Sequence, residues 1–268
     1  MSLGADTTFG GGRRPGFTAS LVAHIDIILA LAARDFRGRF GQNSWSYLWA
    51  YLAPLAWIAA TYLGFYIFSR TVPVYTDTIT FIISGLIPYA SFRYTVTALA
   101  RVNNGIRGLL IFPQVRHEHG IAAVALLEFA NIFVVFAVVA AANYLLFGNG
   151  ELDNVPQFVA GVSLAWGLGA SYGYLFSALG RYRPGLQRLG AALLRPTFFI
   201  SGVFFTANEL PDNLLQYFSW NPLLHAIEVA RDGMLFHYQS RVASPLYVVA
   251  WIAVLALAGA VVSASREA

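Results

Sequence analysis

Residues 121–147 read IAAVALLEFANIFVVFAVVAAANYLLF, and within that run only Glu128 carries a charge. Coiled as a helix, such a stretch crosses the ~30 Å hydrocarbon core of a bilayer. Outward from it, Trp45 to Phe68, Ile79 to Leu99, Phe158 to Leu179 and Pro245 to Val262 meet the same requirement. A sixth apolar stretch, Leu193 to Phe205, is too short to span comfortably, and amphipathic pieces follow it to about Phe236. It predicts a half-spanning or broken helix completed by re-entrant structure over about 208–236. The expected fold is all-α integral membrane, with six transmembrane helices near 45–68, 79–99, 121–147, 158–179, 193–206 and 245–262.

Composition supports lipid as the solvent. Of 268 residues 57% are hydrophobic and 11% charged, a balance whose surface a water-soluble domain could not cover with polar groups. All 17 basic residues are Arg, since the chain has no Lys. A P-loop reads phosphate with Lys, so that nucleotide site is excluded, and ATP-driven work requires a partner chain. Zero Cys removes disulfides, thiol chemistry and Cys-ligated metals.

The Arg residues orient the spans, because cytoplasmic flanks hold the basic excess. With the N-terminus inside, Arg13, Arg14, Arg34, Arg37, Arg39, Arg101, Arg107, Arg116, Arg181, Arg183, Arg188 and Arg266 are cytoplasmic. Arg70, Arg231 and Arg241 fall outside, among Asp77, Glu151, Asp153, Glu209, Asp212, Glu228 and Asp232. Both termini are expected inside. Residues 1–18 are Gly-rich and polar, without the apolar core of a signal peptide, and predict a disordered tail before one permease domain over 19–268.

Leu21, Ile25, Ile28 and Ala32 recur at helical spacing, while Arg34, Asp35, Arg37 and Arg39 cluster beyond them. An interfacial amphipathic helix over 19–40 follows, either a membrane anchor whose Arg heads reach phosphate or a docking surface for a cytoplasmic partner. The first inner loop, Arg101 to His119, carries Ile106, Leu109, Leu110 and Phe112, more apolar than a solvated loop needs, before the stop at Pro113. These side chains either dip into the bilayer interface or fill a groove on another protein. His117, Glu118 and His119 lack a third ligand nearby and predict a charged helix start rather than a metal site.

Around the sixth stretch, Pro196 and Gly202 weaken a continuous helix, and Phe198, Phe199, Phe204 and Phe205 present aromatic faces to lipid or to a pathway. Asn221 before Pro222 signals a helix start, with Leu223 to Met234 following. On it His225, Glu228 and Arg231 fall at i, i+3 and i+6, so Glu228 and Arg231 can pair in a structural polar cluster. Ionisable residues inside spans are Arg93, Glu128 and Arg195. The two Arg either snorkel or face a cavity that favours an anion, and Glu128 suits a polar partner on another span.

Three stretches together resemble the permease subunit of bacterial ABC transporters that export polysaccharide, nearest to the capsule exporters. They are Arg39-Phe40-Gly41 leading to Tyr47-Leu48-Trp49-Ala50; Gly108-Leu109-Leu110 with Phe112-Pro113; and Arg195-Pro196 through Phe205, then Asn221-Pro222-Leu223-Leu224-His225 and Glu228. The resemblance implies a bacterial inner-membrane, multi-pass half-channel that forms a homodimer above two copies of a nucleotide-binding ATPase subunit. That subunit would use ATP and Mg, this chain binding no cofactor, metal or nucleic acid and having no catalytic residues. Arg34, Phe36, Arg37, Arg107, Leu110 and Phe112 would dock the ATPase, the last three in a coupling helix. Trp45, Tyr51, Trp57, Arg93, Arg195, Phe198 and Phe199 would border a lateral gate or channel for a lipid-linked acidic polysaccharide, which a periplasmic or outer-membrane partner would carry onward. Another lipid-linked glycan, such as O-antigen or teichoic acid, is the alternative cargo. A membrane enzyme acting on lipid-linked sugars is the rival of another class, and it would need the clustered acids, His or metal that the scattered polar groups do not supply.

Overall fold

The computed structural model describes residues 17–40, 44–74, 76–148 and 152–265. Within them every regular element is a helix: α1 (Phe17–Phe40), α2 (Ser44–Ile67), α3 (Thr78–Ala100), α4 (Val102–Ile106), α5 (His117–Phe147), α6 (Val155–Gly180), α7 (Pro184–Ile200), a 3₁₀ turn (Ala207–Glu209), α8 (Asp212–Phe218), α9 (Pro222–Met234) and α10 (Pro245–Ala264). The expected tail, together with Arg13, Arg14, Gly41, Glu151 and Arg266, lies outside the described residues apart from Phe17 and Thr18.

Local chemistry explains most helix starts. Asp77, Asn154, Asn221 and Ser244 each accept from a backbone N–H of the first turn, and in the last three Pro follows within two positions. Each cap satisfies a donor that the helix itself cannot, and Pro at the first turn loses no hydrogen bond.

α3 is the central helix: from Thr80 to Phe92 every residue is buried. α6 crosses it so closely that a Cβ at Gly169 would stand 2.6 Å from the Phe92 carbonyl oxygen. α5 and α10 are long and apolar enough to cross a bilayer, by length and composition. Their outward faces stay apolar, with Leu145, Leu146, Leu246, Leu257 and Val261 exposed.

The expected fifth span needs correction. α7 starts at Pro184, nine positions before the expected 193, and runs through Pro196 before stopping at Ile200. Seventeen residues at 1.5 Å each make it roughly 26 Å long. Pro196 removes one N–H without ending the helix. The break falls at Ser201–Gly202, where Gly202 adopts φ +81°, a conformation that other residues enter at a cost. The helix expected over 223–234 is α9.

α9 is buried almost throughout, and Glu228 and Arg231 do not face solvent: both are 0% exposed. The Arg231 guanidinium donates to Glu228 Oε1 at 3.0 Å, the Phe205 carbonyl at 2.7 Å, the Val203 carbonyl at 3.2 Å and Ser84 Oγ at 3.3 Å. It also lies 4.6 Å from the Phe81 ring centroid. Glu228 in turn accepts from Ala207 N–H and Tyr238 O–H. Burial, and the adjoining Glu228 carboxylate, raise the Tyr238 phenol, so it stays a proton donor.

Arg231→Leu leaves Glu228 buried without its cation and is expected to lower the unfolding free energy of the detergent-purified chain by about 3–5 kcal/mol. Arg231→Met combined with Glu228→Gln should recover part of that loss in the same thermal-unfolding measurement. An additive double variant would show that the pair is uncoupled.

Candidate functional site

Among the described residues, the largest aromatic assembly lies between α2 and α7. Trp57 of α2 stands 5.3 Å, ring centre to ring centre, from Phe198 of α7, and Phe198 lies 4.9 Å from Tyr89 of α3 and 4.8 Å from Phe204. Phe204 also stacks on Phe65 at 6.5 Å. These rings frame a groove of about 700 Å³, lined as well by Thr61, Phe68, Phe199 and Arg70. Phe199 is 64% exposed at its edge.

The groove is held in place by ordinary packing. The Tyr89 hydroxyl donates to the Leu194 carbonyl at 2.9 Å, tying α7 to α3. The Gly202 turn then swings Phe204 and Phe205 back over α2, since the Val203 and Phe205 carbonyls are fixed by Arg231. Arg93 lies 4.5 Å from the Trp57 ring centroid, a cation over an aromatic face. α2, α3 and α7 contain no Asp or Glu at all. The groove is therefore aromatic: its lining residues include no carboxylate, its lining Arg70 pairs with Glu209 at 3.6 Å, and Arg93 stands at the Trp57 margin, a surface suited to sugar rings.

Of the residues expected at a lateral gate, the structure gathers Trp57, Arg93, Phe198 and Phe199 around this groove. Arg195 is exposed one turn earlier on α7. Trp45 and Tyr51 fall on α2, and their side chains lie outside the described residues. Sequence reasoning missed Tyr89, Phe65, Phe68 and Arg70. Their aromatic or basic character was visible, but which face of each helix turns toward α7 was not.

The expected docking residues share the other end of the molecule. α4 ends at Ile106, so Arg107, Leu110 and Phe112 lie in the turns that follow and not within the expected helix. Asn103, Asn104, Gly105 and Gly108 crowd this segment, and such residues favour turns over a long helix. Ile106 is buried, while Ile111 at 81% and Phe112 at 59% are exposed. Beside them Arg34 of α1 donates to the Gly105 carbonyl at 3.1 Å, Arg37 donates back to Ala33, and Phe36 is exposed.

Glu128 finds its partner on α1, not on another span: Arg39 binds Glu128 and also Asp35 at 2.9 Å. That Arg head is thus turned inward rather than toward lipid phosphate. On α1, Leu31 and Ala32 pack against Ala123 with Ile27 and Ile28 beside them, and Leu21 and Ile25 stay exposed. His117 and His119 turn to different neighbours, Ser177 Oγ at 3.0 Å and His24 at 2.8 Å. In the polar cluster Asn221 caps α9 and donates to the Ile200 carbonyl, and His225 donates to the Ser219 carbonyl at 2.7 Å. His225 is thus separate from the Glu228–Arg231 pair.

Apolar helices, an aromatic groove and an exposed apolar loop fit the membrane subunit of a transporter. The chain belongs to the ABC-2 type transporter family, whose profile matches residues 27–235. It is 30% identical over 256 residues to the polysialic acid transport protein KpsM of Escherichia coli, covering 95% of this chain and 97% of that one. It is 25% identical over 255 residues to the capsule polysaccharide export inner-membrane protein CtrC of Neisseria meningitidis, covering 94% and 95%. A further similarity, 25% over 232 residues, is to the capsule polysaccharide export inner-membrane protein BexB of Haemophilus influenzae, covering 83% and 84%.

Asp232 gives α9 a pH signature. Burial pushes its carboxyl from the ordinary 3.8 up to about 6, aided by Glu228 and opposed by the Ser240 N–H that it accepts. A raised carboxyl contributes stability that is complete below about pH 4 and lost as pH rises through about 6. Asp232→Asn keeps an acceptor for Ser240 without the charge. Its thermal midpoint should match the wild type near pH 4 and exceed it at pH 8; parallel profiles across that range would refute the shift.

Proposed function

We propose that this chain is the transmembrane subunit of an ATP-driven exporter that moves lipid-linked acidic capsular polysaccharide across the bacterial inner membrane. The observation that carries the reading is the α2–α7 groove, aromatic along its length, Arg-edged and free of carboxylates on its helices. Full-length likeness to polysaccharide transport proteins supports the cargo class.

In this reading α2, α3, α5, α6, α7 and α10 are six spans with both termini cytoplasmic, and residues 19–268 form one permease domain. Two copies associate, each above one copy of an ATPase subunit that binds ATP and Mg. The exposed Ile111 and Phe112, with Arg107, Leu110 and the Arg34–Arg37 end of α1, form the docking face. Because Arg34 bonds the Gly105 carbonyl, movement of the loop pulls on α1. Because Arg39 holds Glu128, movement of α1 is felt by α5. The groove admits the lipid-linked end sideways, its rings stacking on sugars while Arg93 and Arg195 hold acidic groups. A periplasmic or outer-membrane partner receives the chain.

Phe112→Asp places a charge on the apolar docking face. With the ATPase co-purified, export into inverted vesicles should fall by about tenfold or more, the loss of one good apolar anchor, while ATP hydrolysis continues. Unchanged export would mean that the loop only touches lipid. Arg93→Ala should reduce export of an acidic glycan more than that of a neutral one, and an equal loss for both would remove the electrostatic account. A chain that exports alone, or never binds an ATPase, would overturn the whole reading.

A further inference from the structure

At the inner end of the α3–α7 cleft lies a second cavity, separate from the aromatic groove. It measures about 300 Å³ and is lined by Thr97, Ala100, Arg101, Asn104, Gln187 and Arg188, with Val96 behind them. That is the lower end of ligand clefts, with room for a phosphate group or one sugar ring. The Gln187 amide donates to the Ala100 carbonyl, which clamps the start of α7 against the end of α3. Arg101 and Arg188 are both exposed, and neither has a carboxylate partner among the described residues. α3, α4 and α7 supply no Asp or Glu to the cavity.

Two stripes join this cavity to the groove. On α3 and its last turn, Arg93, Thr97 and Arg101 recur every four residues, and Arg93 reaches Trp57 at the groove margin. On α7, Arg188, Ala192, Arg195 and Phe199 recur at i, i+4, i+7 and i+11, and Phe199 lines the groove. Such spacings hold side chains on one face of a helix. α3 and α7 run antiparallel, since Ala100 meets Gln187 while Tyr89 meets Leu194 and Phe198. Arg101 and Arg188 therefore form one rung of positive charge, and Arg93 and Arg195 the next, roughly 11 Å further along the helices.

We propose that the Arg101–Arg188 cavity is the inner-mouth anion site of the transport path, binding carboxylate or phosphate groups of an acidic glycan and handing them to Arg93 and Arg195. The site rests on the reading of the chain as an exporter of acidic glycan. Arg suits it better than a point charge, because its planar fork binds either oxyanion in bidentate fashion.

The test uses the full chain with its ATPase subunit in nanodiscs of zwitterionic lipid, read by fluorescence anisotropy at low salt. Three labelled probes are compared: lipid-free oligosialic acid, a neutral dextran oligomer of similar length, and lysophosphatidylglycerol without sugar. Arg101→Gln combined with Arg188→Gln should weaken oligosialic acid by about tenfold or more and change dextran by less than about twofold. The corresponding double Lys variant, which keeps the charge but not the fork and guards against misfolding, should fall between wild type and the Gln variant, about threefold weaker than wild type. Selective weakening of the lysophospholipid instead supports the site with the anchor phosphate as its ligand. No loss for either anion, or an equal loss for dextran, overturns it. A wild-type complex that binds oligosialic acid no better than dextran removes the exporter reading itself, and that result is seen before any substitution is made.

Discussion

The buried guanidinium of Arg231 is the constraint on which the packing of α9, α3 and the turn after α7 depends. A cation removed from water must have its donors met, and here they are met by Glu228, Ser84 and the carbonyls of Val203 and Phe205. Those carbonyls belong to the irregular turn beyond α7, outside any helix ladder, where a buried backbone acceptor needs a partner from elsewhere. One side chain thus answers two needs at once. It fastens α9 to α3 and fixes the course of the chain after Gly202. The rings of Phe204 and Phe205 come to line the groove because their own backbone is held there.

Close backbone approach completes that arrangement. A Cβ at Gly161 of α6 would lie 2.3 Å from Ala230 N, and one at Gly233 of α9 would lie 2.2 Å from Phe158 N. α6 and α9 therefore touch main chain to main chain, and a packed interior resists any added atom. α2, by contrast, buries one face through Pro54, Ile58, Thr61 and Phe65 and turns Leu63, Tyr66, Ile67 and Phe68 outward. The groove lies between this lightly buried helix and the firmly braced α7 turn.

Charge is distributed in the same spirit. Glu128 is held by Arg39, Glu228 by Arg231, and Glu118 accepts from Ser263. α2, α3 and α7 carry no carboxylate of their own, and the groove's Arg70 is paired with Glu209. Part of this was legible in the chain: the acid-free helices are visible at once, as are the Phe198 and Phe199 rings and the exposed apolar loop. The partner of Glu128 was not, since Arg39 stands 89 residues away and belongs to α1. Nor was the full length of α7, because Pro196 reads as a break while the actual stop is the left-handed Gly202.

What the sequence determined by itself is local. Helical spacing of apolar residues, the capping side chains Asp77, Asn154, Asn221 and Ser244, and the i, i+3 placement of Glu228 and Arg231 are properties of a few neighbouring positions. The absence of Lys likewise excluded a P-loop without any reference to shape. Tertiary structure decided what faces what: Arg93 over Trp57, Arg101 beside Arg188, Arg39 on Glu128, and Tyr238 completing the Glu228 pair. Each of these depends on how helices are rotated about their axes and which antiparallel register they adopt. That is settled by packing across tens of residues, and no local period in the chain encodes it.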